Sequence, residues 1–331
     1  MLKTLLAALV LVAALAPSAS ADDFETKLGG VIAVEQSRTP GIPDDGVVLI
    51  RPREATFVST DDWGLGGFPD LSPDGRTLAT AHEGCVWFTH VLVATVPSFT
   101  ESACRFGADP KAREHTWSPD GRRVAFIGET GTGAQRTSDI YVMNADETGV
   151  RQITTDGRPK SDPQWRIDGR IAFVENGDVR SVSGDALTGS LSLRETTGLD
   201  ASAIAYPRLA FGTIRMAHIS RPDSFALPDR LFVEGREVLS RPHGSLRGLA
   251  WEPGDTPNHL VVAIQTGGDS ELLVIDRAGR TVRALPVNRP GPPDWSADAF
   301  ADTPAGGPAP GAPAGDPVSY THLTLPTTPY V

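Results

Sequence analysis

The stretch that decides the fold is Trp117-Ser118-Pro119-Asp120-Gly121, a tight turn followed directly by the apolar run 123–127. In such a turn proline presets φ at the second position, Ser and Asp favour a type I geometry, and Gly suits the exit. Related turns recur at intervals of about 41–48 residues, because the gap of 86 between Trp165 and Trp251 leaves room for one degenerate copy near Tyr206-Pro207. Such a period is typical of repeat proteins. The related turns are Leu71-Ser72-Pro73-Asp74-Gly75, Trp165-Arg166-Ile167-Asp168-Gly169, Trp251-Glu252-Pro253-Gly254 and Trp295-Ser296-Ala297-Asp298.

Each turn is followed by three β-rich runs separated by Gly, Asn or Asp. The runs are 123–127, 139–143 and 151–154 in the second unit, 171–174, 178–182 and 190–193 in the third, and 259–264, 271–275 and 281–285 in the fifth. Together with the short Trp-containing strand, they make four strands in about 45 residues, which is the size of a propeller blade.

The number of units predicts how the ring closes. Units start near residues 71, 117, 165, 206 and 251, which makes five blades. The runs 31–34, 46–50 and 55–59 lack a Trp-type strand ahead of them, and the strand around Trp295 lacks three strands behind it. Joined, they complete a sixth blade and protect the sheet edges. The predicted fold class is all-β, a six-bladed β-propeller of four-stranded antiparallel blades closed by N-terminal strands pairing with a C-terminal strand. The repeat residues expected to pack between blades are Trp117, Trp165, Trp251 and Trp295.

Residues 117–154 also carry a family resemblance. Four elements carry it: the turn 117–121, the strands Val124-Ala125-Phe126 and Ile140-Tyr141-Val142-Met143-Asn144, and the ending Gln152-Ile153-Thr154. They resemble the repeats of the TolB-like six-bladed β-propeller family, which are WD-repeat-like. The resemblance extends to 68–80 and 251–286. It implies a periplasmic protein-interaction module that works with partners in the cell envelope. The α/β domain that precedes the propeller in full-length members is expected to be absent, so its partner contacts are not transferred.

Both ends of the sequence are interpreted as segments outside the propeller. Lys3, the apolar run 5–16 and the small-residue site Ala19-Ser20-Ala21 are the three parts of a secretory signal peptide. The Pro/Ala/Gly-rich run 303–317 predicts a disordered linker, and residues 318–331 look like a translated library-preparation adapter. The predicted organisation is 1–21 signal peptide, 22–302 propeller, 303–317 linker and 318–331 non-native tail. We therefore expect an exported protein, periplasmic or extracellular.

Export bears on the two cysteines of the chain. In an oxidising compartment, a disulfide between Cys85 and Cys104 is the default expectation. The alternative is a reactive or metal-binding thiol pair.

Composition and charge disfavour several classes of partner. Thirty Lys and Arg against 41 Asp and Glu give a net charge of −11, which argues against nucleic acid and against an anionic membrane surface. After the signal peptide no apolar stretch is long enough to span a bilayer, so no membrane insertion is expected. We expect a monomer whose partner is a protein or peptide of the cell envelope.

No motif predicts catalysis. The sequence has no G-x-S-x-G elbow, P-loop, G-x-G-x-x-G cradle or H-E-x-x-H motif, so no cofactor and no metal site are assigned. Residues just before the Trp-type strands are expected to line the central channel, and these candidates are Asp70, His115, Asp162, Arg208 and Asp294. The predicted function is that of an exported, non-catalytic scaffold that binds a protein or peptide. The alternative is a propeller hydrolase or lyase whose channel carboxylates and histidine bind a divalent metal.

Overall fold

The computed structural model describes residues 28–36, 47–53, 56–59, 67–90, 110–196, 198–207, 216–254, 256–266, 269–287 and 289–297. These ranges contain 23 β-strands and one short 3₁₀-helix, Gly133–Gln135. The described part of the chain is therefore all-β, as the repeat predicts.

The strands are numbered β1 to β23 in chain order. The first six are β1 (Val31–Gln36), β2 (Val47–Arg51), β3 (Thr56–Ser59), β4 (Gly67–Leu71), β5 (Thr77–His82) and β6 (Cys85–His90). The next eight are β7 (Lys111–Trp117), β8 (Arg123–Thr130), β9 (Thr137–Asn144), β10 (Arg151–Gln152), β11 (Ser161–Trp165), β12 (Arg170–Glu175), β13 (Asp178–Ser183) and β14 (Leu193–Arg194). The last nine are β15 (Ala201–Ala205), β16 (Ala217–Ser220), β17 (Asp229–Val233), β18 (Arg236–Arg241), β19 (Leu246–Trp251), β20 (His259–Thr266), β21 (Asp269–Asp276), β22 (Thr281–Leu285) and β23 (Pro290–Ser296).

The strands form six antiparallel sheets, which are the blades of a propeller. Blade 1 is β23-β1-β2-β3, blade 2 is β4-β5-β6, blade 3 is β7-β8-β9-β10, blade 4 is β11-β12-β13-β14, blade 5 is β15-β16-β17-β18 and blade 6 is β19-β20-β21-β22. Blade 2 has three strands within the described ranges, and the other five blades have four. The first strand of each blade is its inner strand, and the inner strands contact one another in the cyclic order β23, β4, β7, β11, β15, β19. The prediction of a six-bladed propeller is confirmed.

The ring closes through blade 1, which combines both ends of the propeller. Strand β23 pairs antiparallel with β1, with Ile32 opposite Trp295 and Ala33 opposite Asp294. The Trp295 side chain is 1% exposed, and its indole N–H donates to the carbonyl of Gly29 at 2.9 Å. The predicted closure by pairing of the N-terminal strands with a C-terminal strand is therefore confirmed.

The Ser-Pro-Asp-Gly turns share one set of hydrogen bonds. In the first turn, the Ser72 carbonyl accepts from Gly75 N–H at 2.7 Å, and the Ser72 hydroxyl donates to Asp74 at 2.6 Å and accepts from Thr77 N–H at 2.9 Å. The copy at 118–123 has the same three bonds at 2.9, 2.6 and 2.9 Å. The recurring sequence therefore encodes a recurring local structure.

Apolar side chains fill the spaces between blades. Trp117, at the end of β7, packs in one cluster with Phe88 of blade 2 and Val124 of blade 3, and its ring centroid is 5.3 Å from that of Phe88. The other repeat tryptophans lie in equivalent clusters between neighbouring blades: Trp165 between blades 3 and 4, Trp251 between blades 5 and 6, and Trp295 between blades 6 and 1.

The antiparallel arrangement gives the propeller two different faces. The connection between the second and third strands of a blade, and the connection to the next blade, lie at the end where the inner strands begin. We call this end the strand-start face. The opposite end carries the Ser-Pro-Asp-Gly turns, and we call it the turn face.

The outer strand of blade 4 differs from the prediction. The sequence placed it at 190–193, whereas β14 comprises Leu193–Arg194. The N–H groups of Gly189 and Ser190 both donate to the carbonyl of Ile153. These residues form hydrogen bonds to blade 3 instead of to their own sheet, so the outer strand of blade 4 begins at Leu193.

Several predictions fall on residues outside the described ranges. They concern the signal peptide 1–21, the linker 303–317, the tail 318–331, Cys104 and Arg208. Cys85 lies buried on β6, and its disulfide with Cys104 stays a prediction. Within the described ranges, no helix is long and apolar enough to cross a membrane.

Candidate binding site in the central cavity

All six inner strands contribute side chains to one cavity on the axis of the propeller. Its volume is about 150 Å³. Its lining comprises residues 68–70 of β4, 114–116 of β7, 161–164 of β11, 202–203 of β15, 247–250 of β19 and 292–294 of β23. We call it the central cavity. Since every blade takes part, the cavity exists only when the ring is closed.

The structure brings four of the five channel candidates to this cavity. Asp70, His115, Asp162 and Asp294 are among its lining residues, while Arg208 is not described. Sequence reasoning missed two charged lining residues, Glu114 and Arg247.

A β-bulge in each blade explains why they were missed. The pairing of every inner strand with its neighbour shifts register, for example between Ala112 and His115 in β7 and between Leu246 and Gly248 in β19. A bulge places two residues of one strand opposite one of its partner and redirects their side chains. Adjacent residues such as Glu114 and His115 therefore both line the cavity, which simple alternation along a strand does not predict.

One tier of polar side chains links the inner strands of four successive blades. Asp294 accepts a hydrogen bond from Leu71 N–H at 2.8 Å, and Asp70 accepts one from Trp117 N–H at 2.6 Å. The hydroxyl of Thr116, the residue of β7 that corresponds to Asp70, accepts from the backbone N–H of β11 at 3.3 Å. These bonds join blades 1, 2, 3 and 4 in sequence, so the two aspartates have a structural role.

A second tier of carboxylates makes similar links. Glu35 accepts from the backbone N–H of Phe68, Glu114 from that of Asp162, and Asp162 in turn from that of Ile204. This tier therefore joins blades 1 and 2 and, separately, blades 3, 4 and 5.

The carboxyl groups of Glu114 and Asp162 are electrostatically perturbed. Burial, reinforced by the negative charge of Glu114, raises the pKa of Asp162 to about 8, although the N–H of Ile204 opposes the shift. Burial also raises the pKa of Glu114, against the effect of the Asp162 N–H and of Arg113. Asp162 is therefore mostly protonated at neutral pH, which limits the negative charge of the cavity.

The cavity residues do not form a metal site within the described ranges. In that part of the chain, no three His, Cys, Asp or Glu side chains are grouped closely enough to hold a metal ion. Asp70, Asp162 and Asp294 share the cavity, but each is engaged by a backbone N–H of a neighbouring blade. The ligand set that the metal-dependent alternative requires is not assembled there.

The fold defines the class of protein, a closed six-bladed β-propeller with a central cavity. In architecture it is a TolB-like propeller. TolB from Acinetobacter baumannii superposes with a TM-score of 0.59 at 17% identity, over 81% of this chain and 66% of that one. A structure described as TolB from Agrobacterium tumefaciens gives 0.51 at 18% identity, over 77% of this chain and 89% of that one.

Other comparisons limit what the fold implies. Hydrazine synthase of Kuenenia stuttgartiensis also superposes, with a TM-score of 0.55 and 13% identity, over 82% of this chain and 46% of that one. The match to Acinetobacter TolB spans just under two thirds of that chain. No family model and no curated protein matches the sequence. At these identities the likeness concerns the fold, and function has to be argued from the site.

Proposed function

We propose that the protein is a non-catalytic scaffold that binds a protein or peptide on its strand-start face, over the central cavity. The observation that carries this proposal is the cavity itself, a polar concavity of about 150 Å³ to which all six blades contribute. Rigid sheets hold the connecting segments around it, and binding residues in proteins concentrate on such connections. A concave site with convergent polar groups is the default place to expect a ligand.

The partner is proposed to be a component of the cell envelope. The protein is proposed to bind it as an exported monomer, in the periplasm or outside the cell. The resemblance of residues 117–154 to TolB-like repeats and the three-part signal at 1–21 support this compartment. The net charge of −11 supports a protein partner over nucleic acid.

The hydrogen bonds of the cavity carboxylates give these groups a structural role, which is consistent with the proposed scaffold. Asp70 and Asp294 hold backbone N–H groups of neighbouring blades at 2.6 and 2.8 Å. Each carboxylate keeps acceptor sites beyond the one that its backbone N–H occupies. Loss of that one bond would leave a buried donor unsatisfied at a cost of about 1–3 kcal/mol, so both groups contribute to the stability of the closed ring.

The test is a capture experiment with the full chain and cell-envelope proteins, followed by affinity measurements on the captured partner. Ser202→Arg places a long cation in the cavity, and Ser183→Arg makes the same change at the turn-face end of β13. We expect Ser202→Arg to weaken binding at least about tenfold, equivalent to about 1.4 kcal/mol, and Ser183→Arg to leave it unchanged. Equal affinities for the two variants would contradict the proposed binding face.

A further inference from the structure

The connection between β16 and β17 presents large apolar side chains to solvent. Within residues 221–228, the side chain of Phe225 is 87% exposed and that of Leu227 is 46% exposed. The Phe225 ring lies 4.8 Å from the ring of His243, which belongs to the connection between β18 and β19. Exposed aromatic residues supported by a neighbouring ring are typical of protein-binding surfaces.

This connection lies on the strand-start face. It joins the second and third strands of blade 5, and His243 lies in the segment that leads from blade 5 to blade 6. Both segments therefore occupy the end at which β19 begins. Arg247, four residues beyond His243, lines the central cavity. The apolar side chains and the cavity thus belong to one face of blades 5 and 6.

The same region carries positive charge that no described residue neutralises. Neither Arg241 nor Arg247 makes an ion pair with any residue the structure describes. The neighbouring Arg221, by contrast, pairs with the buried Asp229 at 3.0 Å. The 221–228 connection itself contains one acidic residue, the exposed Asp223. Two unneutralised guanidinium groups on a chain of net charge −11 favour an anionic partner at this place.

We propose that Phe225, Leu227, Arg241, His243 and Arg247 form a docking surface for an acidic peptide segment that carries a large apolar side chain. The apolar residue of the peptide packs on Phe225 and Leu227, and its carboxylates pair with Arg241 and Arg247. This proposal rests on the proposed function, because it names the chemistry of the partner and its place on the strand-start face.

The test begins with a random 12-residue peptide library displayed on phage and selected on the full chain. Affinities of the selected peptides, made synthetically, are then measured by fluorescence anisotropy for wild type, Phe225→Ser and Arg241→Glu. Leu187→Ser, at a 79% exposed leucine of blade 4, is the matched control. We expect acidic peptides with an aromatic or aliphatic residue. Each of the two surface variants should weaken binding at least about tenfold, and Leu187→Ser should have no effect. Added salt should weaken peptide binding by the wild type.

The outcomes separate this proposal from the proposed function. Peptides whose binding falls with Ser202→Arg but not with Phe225→Ser or Arg241→Glu would overturn the docking surface and leave the proposed function standing. Binding of the wild type to anionic lipid vesicles without selection of acidic peptides would also overturn it. Failure to select any peptide would overturn the docking surface alone, because the proposed function also covers a folded protein partner and is tested by the capture experiment.

Discussion

Replacing Asp162 by Asn should remove a pH dependence of stability that the wild-type protein shows between about pH 4 and pH 8. Burial raises the pKa of this carboxyl from its ordinary value of 3.8 to about 8. The folded state therefore binds the proton more tightly than the unfolded state. The stabilisation is fully present below about pH 4 and is lost as the pH rises through 8.

The magnitude follows from linkage. Each pH unit between the two pKa values costs the folded state roughly 1.4 kcal/mol, on the order of 4 kcal/mol by pH 7. Because Asp162 is partly open to the cavity, solvent reduces this figure, and we expect a difference of about 1–4 kcal/mol between wild type and variant. The Asn oxygen can still accept the hydrogen bond from Ile204 N–H, so the link to blade 5 is kept.

The assay is urea denaturation of the two proteins at pH 5, 6, 7 and 8. The free energy of unfolding of Asp162→Asn should rise relative to that of wild type at each step. Asp120→Asn is the control, because the Ser118 hydroxyl lowers the pKa of the exposed Asp120, so that it is ionised in both states over this range. Its pH dependence should match that of wild type. Parallel curves for wild type and Asp162→Asn would refute the argument.

Three further predictions address the ring and its buried groups. The side chain of Trp295 is 1% exposed and lies between blades 6 and 1. Trp295→Ala should therefore lower the free energy of unfolding, measured by urea denaturation, by about 3–5 kcal/mol. A loss under about 1 kcal/mol would contradict the closure. Asp70→Ala should cost about 1–3 kcal/mol in the same assay because it orphans the buried N–H of Trp117, whereas Asp70→Asn keeps an acceptor and should cost less; the reverse order would count against the link. Burial lowers the pKa of His218 to about 4, so its ring signals in an NMR titration should stay constant from pH 8 to pH 5, and a midpoint near 6.5 would disprove this.

The blade count could be predicted because its signal is local. The turns 72–75 and 118–121 are specified by their own residues, through the Ser hydroxyl and the Asp carboxylate. When the strands are assigned to such turns, three strands at the N-terminal end and one at the C-terminal end belong to no complete blade. This remainder predicts closure through Trp295, as the structure shows.

The cavity was less predictable because its geometry depends on contacts between strands. The bulges that bring Glu114 and Arg247 into the lining arise from the pairing of each inner strand with its neighbour. Gly248 is a sequence signal for the bulge in β19, whereas no residue type marks the bulge in β7. The outer strand of blade 4 was misplaced for a similar reason, since Gly189 and Ser190 bond to Ile153 of another blade. Exposure of Phe225 was likewise not visible in a chain with twelve Phe.

Hydrogen–deuterium exchange of the full chain, with and without a selected peptide or captured partner, tests most directly whether the strand-start face is the binding face. We expect slower exchange on binding in the strand-start connections, 154–160, 221–228 and 242–245, and no change in the turns 72–75, 118–121 and 166–169. Slower exchange confined to the turn face or to the outer strands, with the strand-start connections unaffected, would contradict it.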